Sequence, residues 1–291
     1  MTKIKKIFAL AIFIATIYSC DTSNSPIVDD FDHEAQALID NDSIIKFLKN
    51  HYFDTSLDSV KSLVTGQISL FDDTSNLNIM DVTENDINYK LYCYINRVGE
   101  PDPIKGYPTV MDSVLVKYYG QKIISPDSIS NSFESNNGLW FTLNGVIRGW
   151  SYGFTNFRGG KNVTNNGPIT YDNGGKGILF IPSGLAYRNV GRGAVLPNEN
   201  LLFYIDLFDL VEGTDHDNDG VASISEDPDG EGDPRFVDTD EDTIPNYLDT
   251  DDDNDGTFTI DEDANGDGDP SNDFSDPNNP NLPDYLNPAI K

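Results

Sequence analysis

The sequence predicts an α+β protein with an irregular acidic tail, and three observations predict it. Residues 108–211 read as short strands separated by Gly, Pro and Asn turns, with one short helix starting near Arg148-Gly149-Trp150. Glu34 to Tyr52 sets Ala35, Leu38 and Ile39, then Ile44, Ile45, Phe47 and Leu48 at helical spacing. From Val211 to Lys291 there are 26 Asp and Glu against two basic residues, Arg235 and Lys291, so this stretch carries −24 of the chain's net −30.

In chain order, Lys3, Lys5 and Lys6 precede an apolar run from Ile7 to Tyr18. A run of about a dozen residues is too short to span a bilayer core of ~30 Å, so residues 1–19 read as a signal segment. Residues 20–30 form a polar tether. In the helical stretch, Asn41-Asp42-Ser43 is expected to break or cap, giving two short helices. Residues 53–85 are polar with short β-like pieces, Asn88 to Val98 alternates as a strand, and Gly99-Glu100-Pro101-Asp102-Pro103 is a turn. Residues 31–107 thus read as a small N-terminal region. The short helix at Arg148 is expected to end at Gly159-Gly160. Cys93 sits in an apolar string and reads as a buried thiol.

The tail, 212–291, is an internal repeat of 36 residues. Asp215-His216-Asp217-Asn218-Asp219-Gly220 opens one copy and Asp251-Asp252-Asp253-Asn254-Asp255-Gly256 the other. Calcium takes six to eight oxygens, and a loop of the EF-hand type supplies them at positions 1, 3, 5, 7 and 12 with Gly at 6. Asp215, Asp217, Asp219, Val221 (through its carbonyl) and Glu226 fit that spacing, as do Asp251, Asp253, Asp255, Thr257 and Glu262. Asp227, Asp229 and Asp233, with Asp263, Asn265, Asp267 and Asp269, are further candidates. Thr243 stands where such repeats place Gly. Without cations the like charges repel, and the tail is expected to be expanded. The copies look similar to the type 3 calcium-binding repeats of thrombospondin.

One ordered set of motifs runs through 108–211: Val116-Lys117-Tyr118-Tyr119-Gly120, Phe133-Glu134-Ser135, Gly145-Val146-Ile147-Arg148-Gly149-Trp150, Ile181-Pro182, Leu185-Ala186-Tyr187, Leu196-Pro197-Asn198 and Leu201-Leu202-Phe203. This succession resembles the FKBP family of peptidyl-prolyl cis/trans isomerases. The resemblance implies an antiparallel sheet wrapped over one short helix, and activity on proline-containing polypeptides without a cofactor. It implies Trp150 as the floor of a proline pocket, with walls from Tyr118, Phe133, Val146, Ile147 and Phe203 and a polar wall position at Glu134. The N–H of Ile147 and the hydroxyl of Tyr187 are implied to hold substrate carbonyls, Val195 and Leu196 to line the rim, and Leu139 to bind substrate with them. The chain departs from the family at Glu134, where Asp is usual, at Leu139 for Phe, at Arg188 for Gly, and in extra residues at 161–177.

Ile17-Tyr18-Ser19-Cys20 looks like a bacterial lipobox, which implies lipid on Cys20 and a place in the cell envelope, as an outer-membrane lipoprotein of a Gram-negative bacterium. The negative charge argues against nucleic acid as a partner. His33 and His51 read as solvated or capping residues, and His216 falls at a non-ligand position of its loop; no nucleophile triad or zinc spacing is present. Gly174-Gly175-Lys176-Gly177 lacks the spacing of a phosphate loop. The alternatives to an isomerase are a non-catalytic binding module of the same shape and a structural surface lipoprotein.

Overall fold

A computed structural model describes residues 29–228, 230 and 232–291. The signal segment, Cys20, nearly all of the tether, and Asp229 lie outside the described residues.

Helix α1 runs from His33 to Asn50, capped by Asp32, whose carboxylate accepts from the Ala35 N–H at 2.9 Å. It is one helix, not the expected two. Asp42 pairs with Lys46 one turn on at 2.8 Å, and Asp40, Ile44, Phe47 and Leu48 are buried on either side of 41–43. Packing on both sides of the polar triplet outweighs its weak helix propensity. His51 ends the helix buried rather than solvated: its Nδ1 lies 2.8 Å from the Phe47 carbonyl, and its ring stacks on Phe47.

Two short strands follow, β1 (His51–Asp54) and β2 (Ser59–Ser62), paired as a hairpin. Then come β3 (Leu77–Glu84), β4 (Ile87–Arg97), β5 (Ser113–Ser125), β6 (Ser128–Ile129) and β7 (Glu134–Thr142). Helix α2 (Arg148–Phe154) precedes a second small hairpin, β8 (Lys161–Asn162) with β9 (Tyr171–Asp172), and then β10 (Gly175–Ile181) and β11 (Leu201–Val211). The main sheet is antiparallel in the order β3-β4-β10-β11-β5-β6, with β7 also paired to β5.

Period-two alternation divides each central strand between two cores. Leu179 and Ile181 of β10, with Phe203, Ile205 and Leu207 of β11, face α2. Ile178, Phe180 and Leu202 face the opposite way, onto Ile44, Phe47 and Leu48 of α1. The sheet is therefore covered on both faces, which is why β10 reads as a continuous apolar run. The boundary expected at 107/108 is not a gap in the packing: β4 pairs with β10 along Tyr92–Arg97, and residues 32–291 form one unit.

Helix α2 ends earlier than its glycines suggest. Thr155 caps it, and Phe157 turns into the core. Gly160 instead donates to the Phe208 carbonyl at 2.8 Å, and Gly175 to that of Arg158 at 2.9 Å. The Gly-rich run 174–177 is a packing device. A Cβ on Gly177 would lie 2.4 Å from the Tyr94 carbonyl oxygen, and β10 already begins at Gly175, which shortens the extra segment. Cys93 is buried and free, and burial pushes its thiol pKa up.

Candidate functional site

The site grows from the pairing of β5 with β11, which sets Gly120 opposite Phe203. A Cβ on Gly120 would lie 2.5 Å from the Phe203 ring and 3.0 Å from that of Phe133, so only glycine lets both rings sit here. Phe133 and Phe203 meet edge to face at 5.6 Å. Helix α2 presses on β10 through its own glycines: Gly149 faces Ile181 and Gly153 faces Leu179. That close approach drives Trp150 into the core, 4% exposed.

Four rings stand edge-on to the indole: Tyr118 at 5.0 Å, Phe203 at 5.2 Å, and Phe141 and Phe154 at 5.4 Å. Edge-to-face pairs of this kind contribute about 0.5–1.5 kcal/mol each beyond area burial, so the indole is held firmly. Its Nε1 is buried without a hydrogen-bond partner. Above it opens a cavity of about 660 Å³. Tyr118, Glu134, Val146, Ile147, Trp150, Tyr187 and Phe203, seven of the eight residues implied as catalytic, line it. Phe133 supports the wall from behind, through Phe203.

Polar groups enter from the rim. The Tyr118 hydroxyl donates to Glu134 Oε1 at 2.8 Å; burial, then that hydrogen bond and the carboxylate's charge, raise the tyrosine's pKa. Burial and the Glu134 charge also raise the pKa of Tyr187, while Arg192, whose guanidinium stands 6.0 Å from its ring, pulls the other way. Both hydroxyls therefore stay protonated donors at neutral pH. Ile147 sits one residue before α2 in extended conformation, and its N–H has no acceptor among the described residues. Ser183, four residues before Tyr187, is anchored from the other side of the sheet: its N–H and Oγ both donate to Asp40 Oδ2, at 2.9 and 2.6 Å.

The three residues implied to bind substrate beside the pocket lie elsewhere. Leu139 is 44% exposed on β7, beside the register shift between Val116 and Tyr118. Val195 is buried in the core, and Leu196 is 61% exposed, turned outward by its N–H bond to Glu199. The cavity is instead completed by Phe141, Arg148, Arg192 and Glu84, none of them nominated from sequence, and by Arg188 in left-handed conformation at φ 53°. Glu84 comes from the β3–β4 hairpin, a contact no local pattern reports. Arg148 is buried, 3.4 Å from Glu84 and 3.8 Å from Asp233 of the tail, while Arg235 of the tail bonds Glu84 at 2.9 Å and also Asp233. The first repeat is thus fastened to the pocket rim.

In the tail, Gly220 and Gly256 take φ of +100° and +91°, as position 6 of an acidic loop requires. Asp215, Asp217 and Asp219 cluster, as do Asp251, Asp253 and Asp255. Glu226 groups with Asp219 and Asp252, and Glu262 falls outside the close Asp251-Asp253-Asp255 group. Asp238, Asp240 and Asp242, not nominated from sequence, form another cluster. Burial and neighbouring carboxylates push Asp217 up to about 8, Glu226 to about 10 and Glu262 to about 8. Val221 places its side chain against Tyr285 and Leu286, which leaves only its carbonyl oxygen to ligate an ion, and the Thr257 N–H donates to Asp255 at 2.8 Å. His216 accompanies the first loop without joining it: its Nδ1 lies 2.8 Å from Ser223 Oγ.

Comparison with known proteins bears on the aromatic site. A stretch of 103 residues is 34% identical to the FKBP-type peptidyl-prolyl cis-trans isomerase FkpA of Escherichia coli, covering 35% of this chain and 33% of the relative. Over 106 residues the chain is 29% identical to human peptidyl-prolyl cis-trans isomerase FKBP14, covering 35% and 44%. Over 102 residues it is 33% identical to a probable FKBP-type isomerase FkpA of Neisseria meningitidis, covering 34% and 32%. The chain therefore spans about a third of the FkpA relatives and less than half of FKBP14. The crystal structure of Escherichia coli FkpA superposes with a TM-score of 0.34 at 27% identity, covering 46% of this chain and 53% of that one. A Pseudomonas syringae peptidyl-prolyl isomerase superposes at 0.37 and 18%, covering 63% and 98%. No family model matches the chain. Over about a third of its length, then, the chain is similar to FKBP-type peptidyl-prolyl isomerases.

Proposed function

We propose that the aromatic cavity catalyses cis/trans isomerisation of X-Pro bonds in exported polypeptides. The observation that carries this reading is the indole of Trp150, framed by Tyr118, Phe141 and Phe203 in an open cavity that Ile147, whose N–H is unpaired, and Tyr187 also line.

Resonance holds the amide planar behind a barrier of about 18–20 kcal/mol, and uncatalysed X-Pro exchange takes tens to hundreds of seconds. The twisted amide has lost that resonance, so its carbonyl is less polar and its nitrogen more basic. An apolar, water-poor cup favours the twisted form over the planar one. The pyrrolidine ring rests on Trp150, and the walls exclude water. The Ile147 N–H and Tyr187 hydroxyl grip carbonyls flanking the rotating bond, so one side of the amide is held while the other turns. Removing about 4 kcal/mol from the barrier gives roughly a thousandfold acceleration. No step requires a nucleophile or a metal.

Two further parts complete the proposal. Lipid on Cys20, read from Ile17-Tyr18-Ser19-Cys20, tethers the chain to a membrane of the cell envelope. The tail holds calcium as a structural ion through Asp215, Asp217, Asp219 and the Val221 carbonyl, and through Asp251, Asp253, Asp255 and the Thr257 carbonyl. All-oxygen donor sets on glycine-turned loops support a hard cation of this size.

A protease-coupled assay on an X-Pro peptide with the full chain tests the activity. Acceleration lost in Trp150→Ala supports it. Capture of proline peptides without acceleration would move the reading to a binding module. A calorimetric calcium titration that gives no heat would remove the metal.

A further inference from the structure

We propose that Asp219 and Glu226 of the first repeat and Asp252 of the second jointly hold one divalent cation of the calcium class, in a site shared between the two copies. Spacing within the loops gives Asp252 no role, since it falls between the alternating ligands Asp251 and Asp253. In the fold, an oxygen from each of the three carboxylates lies within 4.8 Å of the others. The three residues are 1%, 0% and 2% exposed.

Asp219 Oδ2, both oxygens of Glu226 and Asp252 Oδ1 are buried without a hydrogen-bond partner. The remaining oxygens are already used, and they fix the carboxylates in place. Asp219 Oδ1 accepts from the Val221 N–H at 2.8 Å, and Asp252 Oδ2 from Thr259 Oγ1 at 2.8 Å. The two basic residues of the tail are committed elsewhere: Arg235 to Glu84 and Asp233, and Lys291 to Asp255. Carboxylates 4 Å apart repel by about 4 kcal/mol per pair at an effective dielectric of ~20, and unpaired buried oxygens add their desolvation cost. A divalent cation reverses both terms, and an all-carboxylate set without sulfur or imidazole selects a hard one. The copies also meet here through apolar contacts. Val221 packs with Tyr285 and Leu286, and a Cβ on Gly220 would lie 3.1 Å from Pro270. The ion pins one repeat to the next, so the tail holds its two copies as one body.

This inference rests on the calcium reading of the tail. Calcium chloride is titrated calorimetrically into the full chain, with limited proteolysis of residues 237–250 alongside. Asp252→Asn keeps shape and an acceptor for Thr259, and is expected to bind one calcium fewer per chain and to lose calcium's protection of the inter-repeat segment. Glu226→Gln should show the same pair of losses, whereas Asp255→Asn should weaken its own loop and keep the protection. If the parent chain binds calcium and Asp252→Asn binds as many ions with affinity within twofold, the shared site is wrong and the loop sites stand. A loss in only one of Asp252→Asn and Glu226→Gln contradicts it equally. If the parent chain binds none at millimolar calcium, both readings fall together.

Discussion

Replacing Gly149 with alanine tests whether the position of α2 sets the chemistry of the pocket. The added Cβ would lie 2.3 Å from Ile181 Cγ2 and 2.9 Å from its Cδ1, roughly 1 Å short of ordinary contact. Ile181 cannot retreat: it is buried, β-branched and stiff at χ1, on a strand bonded to β11. The helix must lift instead. Overpacking of this kind costs about 1–3 kcal/mol, against which the better helix propensity of alanine returns about 1 kcal/mol. The net loss is therefore about 0–2 kcal/mol, a fall in Tm of about 0–8 °C for a unit of this size. Activity should suffer far more, because Ile147 and Trp150 move with the helix. A displacement of about 1 Å can cost up to 10²-fold, so kcat/KM on an X-Pro peptide should drop ten- to a hundredfold while circular dichroism stays native. Gly153→Ala is the control. Its Cβ meets the two Cδ methyls of Leu179, at 2.7 and 2.9 Å, at the far end of a side chain not branched at Cβ, and it should keep activity within a few-fold. Parent-level kcat/KM in a folded Gly149→Ala protein would mean that the position of α2 does not set the chemistry of the pocket.

Three more expectations follow from the same geometry. Tyr187→Phe deletes one carbonyl donor, worth about 0.5–1.5 kcal/mol, so kcat/KM should fall about two- to tenfold with Tm nearly unchanged; no change in rate would remove the hydroxyl from the mechanism. Thr243 holds φ +85° despite its branched Cβ, so Thr243→Gly should stabilise the tail by about 1 kcal/mol, read as a later proteolytic half-life; a shorter one would contradict the assigned strain. Burial raises the pKa of Asp40 above 3.8, although Ser183, Gln36 and Asn200 oppose the shift. A carboxyl raised in the folded state contributes fully below its unfolded pKa and loses that contribution as pH rises through its folded value. The urea stability of Asp40→Asn relative to the parent should therefore improve as pH rises above about 4, the ordinary Asp range, and a pH-independent difference would refute the assignment.

The aromatic set was legible in the sequence through the ordered motifs that resemble the FKBP family. Trp150, Tyr118 and Phe203 converge as that resemblance implies. The misplaced substrate-binding residues failed for local reasons: Leu139 lies beside an irregular register and Leu196 follows a turn, and spacing does not report which way either faces. Glu84 was not readable as a rim residue, and Asp233, expected as a further ion ligand, instead pairs with Arg148 and Arg235, because these contacts join segments far apart in the chain. The unbroken α1 was missed because Asn41-Asp42-Ser43 signals a cap locally, while the packing that overrides it comes from β4 and β10. In the tail, loop spacing was periodic and therefore visible, whereas the meeting of Glu226 with Asp252 depends on how the copies pack.

The most direct test of the aromatic cavity's role is exchange NMR of a proline peptide with the full chain, parent and Trp150→Ala side by side. Cis/trans exchange should be broadened or cross-peaked at substoichiometric parent protein, with at least a tenfold smaller rate in the variant. Exchange no faster than in buffer with folded parent protein would contradict that role.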